Sequence, residues 1–111
     1  MLNNEMTEKE FVARVLNFYL HLPQTPARTS RTDRQLAAQW YAQGLTWETL
    51  EGALLLATAR RSLRDPALPP LSPIRSLHYF VPLLEEVQAT PLAPEYMQYL
   101  RGKLAAFLAT D

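Results

Sequence analysis

Arg60, Arg61 and Arg64 fall within about one helical turn of each other, Arg75 follows beyond a proline-rich stretch, and Tyr79 lies one turn past Arg75. Guanidinium groups are planar forks that grip a phosphate or carboxylate through paired hydrogen bonds. An exposed tyrosine beside them stacks on an unpaired base. Gathered on one face, these five side chains would form a nucleic-acid-binding site. The competing explanation is local: cations in the last turn of a helix complement its dipole and bond its free carbonyls, so RR-x-x-R is a favourable helix ending whatever the function.

Catalytic chemistry is poorly supplied. His21 and His78 are far apart and belong to no metal-ligand pattern, and cysteine is absent, which removes thiol nucleophiles, thiolate metal sites and disulfides. Ser76 and His78, two apart on a helix, point away from one another. Glu48 with Glu51 and Glu85 with Glu86 lack a partner cluster and read as solvated faces. Gly44, Gly52 and Gly102 stand singly, so no glycine-rich phosphate loop is present. The expectation is a non-enzymatic protein with no cofactor and no metal.

The elements that must position these residues are helical. Thr7 and Glu10 fit a capping box, and Phe11, Val15, Phe18 and Leu22 recur at helical spacing until Pro23, predicting a first helix over about residues 8–22. Ser30 caps a second helix through Gln43, closed by Gly44. Thr46 caps a third, whose Leu50, Ala53, Leu54 and Ala57 share a stripe that Leu55 and Leu56 widen; so broad an apolar surface belongs at the centre of a fold. Four of the nine prolines then mark a loop, Pro66 to Pro73, which doubles as a docking motif if its "PALPP" is offered to an aromatic groove. Ser72 and Pro73 are expected to open a fourth helix running to about Ala89. Pro82 within it would leave the His78 carbonyl free and bend or break it. "TPLAP" starts a fifth, with Met97, Leu100, Leu104, Phe107 and Leu108 inward. No stretch alternates as a strand does. The prediction is one all-α domain over residues 1–111, with a helical core over about 31–109 and helices one and five packed around helix three.

Helix two, glycine and helix three stand in the order of a helix-turn-helix, but Trp40 occupies a position where a small residue is needed and the reading face would offer Glu48 and Glu51 to DNA. That unit is not expected to read a groove.

Composition narrows the partners. The 111 residues are 48% hydrophobic and 20% charged with zero formal net charge, as in a globular domain with no global field toward nucleic acid or membrane. Six arginines against Asp33, Glu48 and Glu51 nonetheless make residues 25–64 locally basic. The apolar run Phe11–Leu22 is interrupted by Arg14, Asn17 and His21, too short and polar for a membrane span or a signal peptide. A cytoplasmic protein without a membrane partner is expected.

A helix ending in tryptophan and "AQGL", a capped helix of small and apolar residues, a loop, and a helix carrying Tyr79, Leu83 and Glu86 together resemble the C-terminal helical domain of DnaD-like bacterial and phage replication-initiation proteins. The likeness spans about Leu36 to Val87. Tyr79 and Leu83 fit the tyrosine and isoleucine of the family's terminal pattern; Glu86 departs from its tryptophan. The resemblance implies an all-helical, non-enzymatic domain that contacts DNA and replication partners. Two partner classes follow: DNA through Arg60, Arg61, Arg64, Arg75 and Tyr79, or another protein, including a second copy of the chain.

Overall fold

The computed structural model describes residues 6–105, which form a single all-α domain without strands. Five α-helices, α1 (Glu8–Leu20), α2 (Arg31–Ala42), α3 (Trp47–Ser62), α4 (Val81–Ala89) and α5 (Pro94–Lys103), are joined by loops, with a 3-10 helix at Leu77–Phe80 leading into α4. The end of the predicted core, with Phe107 and Leu108, lies outside the described residues. None of these helices is long and apolar enough to cross a membrane.

Helix starts follow the caps. At α1 the Glu10 amide donates to the Thr7 hydroxyl (3.1 Å) and the Thr7 amide to Glu10 Oε1 (3.0 Å), so both halves of the box are made. The helix stops at Leu20, two residues short of the predicted end, and Leu22 is buried beyond it. Its inner face is Phe11, Val15, Leu16 and Tyr19; Phe18 is half-buried and sets its ring edge-on to Trp47 at 5.3 Å.

The α2 start has a second capping box, Ser30 with Asp33. At its end Gly44 adopts φ +80°, its amide donates to Tyr41 O (3.0 Å) and the Leu45 amide to Trp40 O (3.1 Å). This is a Schellman closure, which needs a left-handed residue and so favours glycine there.

Helix α3 is buried on all sides from Leu50 to Ala59. It joins two cores. The larger draws on α1, α2, α3, the 3-10 helix and α4; the smaller sets Leu55 and Ala59 against Met97, Leu100 and Leu104. Helix five does pack on α3 as expected, whereas α1 pairs chiefly with α2. Gly52 faces the α4–α5 connection so closely that a Cβ there would come within 3.2 Å of Leu92 Cδ1 and 3.3 Å of Met97 Sδ.

The fourth helix differs from expectation. Ser72 and Pro73 open no helix; residues 71–75 form irregular loop, and the cap is Ser76, itself extended, whose hydroxyl accepts from the His78 amide at 3.2 Å. Leu77–Phe80 then form the 3-10 turn, and Pro82 falls in the first turn of α4, where a missing amide costs no intrahelical bond. The His78 carbonyl is not free: it accepts from the Val81 amide. Tertiary ties set this start. Ile74 is buried and its amide donates to Gln24 O (2.9 Å), while the Leu77 amide donates to buried Asp33 (2.9 Å).

Candidate nucleic-acid interface

The end of α3, the following loop and the 3-10 helix bring the predicted residues to one end of the molecule and give them different work. Arg60 points to α4, where its two terminal nitrogens grip both oxygens of Glu86, one at 2.9 Å. The charge-assisted hydrogen bond holds the Glu86 carboxyl below its ordinary range and raises Arg60 further. Arg60 is therefore neutralised by the Glu86 carboxylate.

Arg61 reaches into the loop. It donates to the Ser72 carbonyl (2.7 Å), to the Tyr79 hydroxyl (3.1 Å) and to Gln24 Oε1, and its guanidinium carbon lies 5.3 Å from the Tyr79 ring centroid. Arg64 donates to the Pro69 carbonyl at 2.9 Å. The two carbonyls are three residues apart in the proline-rich loop. The arginines thus bond the loop rather than their own helix end. Asp65 shapes the near side of the loop, accepting the Ala67 amide on its side chain and the Leu68 amide on its carbonyl.

Arg75 is exposed and is assigned no hydrogen bond or ion pair among the described residues. It borders a hollow with Gln24, Thr25, Pro26 and Pro73, and a second hollow holding Arg61 and Arg64 also includes Gln24. The two therefore meet at Gln24, a residue at φ +65° that sequence reasoning passed over. Tyr79 is 39% exposed beside them, its ring edge-on to Phe80.

The ion pairs among the described residues are Arg60–Glu86 and Arg101–Glu51. Arg61 and Arg64 are held by neutral acceptors, so their charge is undiminished by a carboxylate contact. The Asp65 carboxylate lines the same hollow without pairing with either arginine.

The other chemical candidates are not assembled. His21 Nδ1 is bonded to the Asn17 carbonyl at 2.8 Å, His78 is exposed on the 3-10 helix, and no group of three His, Asp or Glu side chains suited to a metal forms among the described residues. The α2–α3 unit offers no probe, since α3 is enclosed and Trp40 is core.

Two polar sites escaped sequence reasoning. Glu51, expected with Glu48 on a solvated face, is instead buried and takes two bonds from Arg101, 2.8 and 3.1 Å; fifty residues separate the partners, and nothing local signals the pair. Asp33 is 1% exposed, accepting from Ser30 N and Leu77 N (both 2.9 Å). Ser30 was legible as the cap of α2; the part Asp33 plays in that cap and its reach to Leu77 were not. No family model matches the chain, nor does any curated protein or solved structure.

Proposed function

We propose that the protein is a non-catalytic, DNA-associated accessory module that holds phosphates with Arg61, Arg64 and Arg75 and stacks a base on Tyr79. The supporting observation is the set of three arginines without carboxylate partners around Gln24, next to a partly exposed tyrosine. Arg60 borders this face but serves α4. The DnaD-like resemblance points the same way, toward replication initiation or a mobile element in a bacterial cytoplasm. Single-stranded DNA is the favoured form, because Tyr79 needs an unpaired base to stack on.

The test is binding of single-stranded and duplex DNA over a salt series. Three phosphate contacts on a single strand give a slope of about −2 in log affinity against log salt. Arg75→Ala is the clean probe, because it removes no hydrogen bond of the fold; it should lower the slope by about 0.7. No binding at low salt, or a slope unchanged in Arg75→Ala and Arg64→Ala, would sink the proposal.

A protein-interaction module is the second reading. It is favoured by Leu68 and Leu71, exposed (48 and 39%) on the proline loop that Arg61 and Arg64 brace, with Leu63 (53%) exposed at the end of α3 beside them. A braced ridge loses little entropy on docking. Light scattering for self-association, and pull-downs lost in a Leu68→Ser/Leu71→Ser variant, distinguish it from DNA binding.

A further inference from the structure

Between them α1 and α2 border an open hollow of about 680 Å³, its lining including Lys9, Val12, Leu16, Arg31 and Arg34. Its floor is apolar: Val12 and Leu16, one turn apart on α1, with small Ala13 and Ala38 leaving room above them. Its rim is cationic. Lys9, Arg31 and Arg34 are exposed and form neither of the two ion pairs among the described residues, and Glu8 is the one carboxylate in the lining. The carboxylates that might have offset them are engaged elsewhere: Glu10 in the α1 capping box and Asp33 inside the core.

We infer that this groove receives an acidic amphipathic helix of a partner protein. Charge complementarity selects the sign, because three cations surround an apolar floor and a partner helix must place carboxylates around its apolar stripe to match them. The floor selects peptide over phosphodiester. A nucleic-acid backbone has no apolar side chains to cover Val12 and Leu16, and the lining offers no aromatic on which a base could stack. Walls on two adjacent helices, with the small residues Ala13 and Ala38 in the lining, leave room for a helix to lie along them. The occupant carries leucines or similar residues at i and i+4, seated over Val12 and Leu16, with Asp or Glu one turn to either side, facing Lys9 and the Arg31/Arg34 pair. This inference stands apart from the nucleic-acid proposal, since it shares no residue with the Arg61 face.

The probe is a fluorescently labelled peptide of about 15 residues built from Glu, Ala and Leu with leucines at i and i+4, long enough to form a helix on binding. Its anisotropy is followed against the full chain, beside an isomer of the same composition with the leucines dispersed. The patterned peptide should bind, weakening about 10-fold or more in Arg34→Glu and severalfold as salt rises from about 50 to 300 mM. Ala13→Leu fills the groove without touching charge and should abolish binding while circular dichroism stays unchanged. Arg75→Ala should leave peptide binding intact, which separates this site from the nucleic-acid face. Equal binding of the dispersed isomer, no binding at low salt, or indifference to Ala13→Leu each overturns the inference. So does self-association of the chain that Ala13→Leu abolishes, because the occupant would then be a second copy, or DNA that displaces the peptide and is lost in Arg34→Glu.

Discussion

Tyr19 shows how one side chain registers its surroundings. It is wholly buried between α1 and the 3-10 helix, edge-on to Phe80 at 6.0 Å, and its hydroxyl has no hydrogen-bond partner among the described residues. Burial first, and the nearby Asp33 charge second, push its pKa from 10.0 up to about 12. Below pH 10 both folded and unfolded chains keep this proton and the stability linked to it is intact. Between pH 10 and 12 the unfolded chain releases the proton and the folded chain holds it, so stability falls as pH rises through that window. Denaturant titrations should find Tyr19→Phe within about 1 kcal/mol of the parent at pH 7, since no bond is lost. By pH 12 the variant should retain roughly 2 kcal/mol that the parent gives up. Parallel pH profiles for the two proteins would contradict this account.

At the scale of elements, the loop after α3 is ordered by side chains of the helix it leaves. Arg61 and Arg64 hold the Ser72 and Pro69 carbonyls, and Ile74 is pinned to Gln24. Arg61→Ala removes three donors to the loop and its neighbours and should speed proteolytic cleavage within residues 66–72 severalfold, with α-helical content unchanged; Arg61→Lys restores less, because an ammonium lacks the fork. Cleavage at the parental rate would show the loop is ordered by its prolines alone. The same region marks where sequence reasoning succeeded and failed. The starts of α1, α2 and α3 were legible because their caps are local: a hydroxyl that accepts the amide three residues on, joined at α1 and α2 by an acidic side chain at that position. Ser72 likewise offers a hydroxyl, ahead of a proline, and starts nothing, because Ile74 is drawn into the core and the amides of residues 77 and 78 already have acceptors in Asp33 and Ser76. The arginine cluster was legible as charge. Its acceptors, Glu86, Gln24, Ser72 and Pro69, were not, since between five and thirty-seven residues separate each pair.

For the molecule as a whole, Asp33 is the side chain that ties the two halves of the chain. Its carboxylate joins the α2 start to the 3-10 helix across forty-four residues with no cation opposite it, stabilised by the amides of two helix beginnings. Asp33→Ala removes a cap and strands the Leu77 amide in a buried site, a loss of about 3 kcal/mol. Against a total of about 5–15 kcal/mol for a domain of this size, that lowers the melting temperature by roughly 10 °C or more. Thermal unfolding followed by circular dichroism measures it; a shift of only a few degrees would mean Leu77 finds another acceptor.

This bridge also orders events during synthesis. The first three helices are complete in the growing chain before the amide of Leu77 has been made. Until that residue emerges, Asp33 has one donor of its pair and must keep water on the other oxygen, so the pocket around Tyr19 cannot close. Dry packing of the early helices therefore waits on the later part of the chain, and a ribosome paused short of Leu77 would display a helical but unsealed protein.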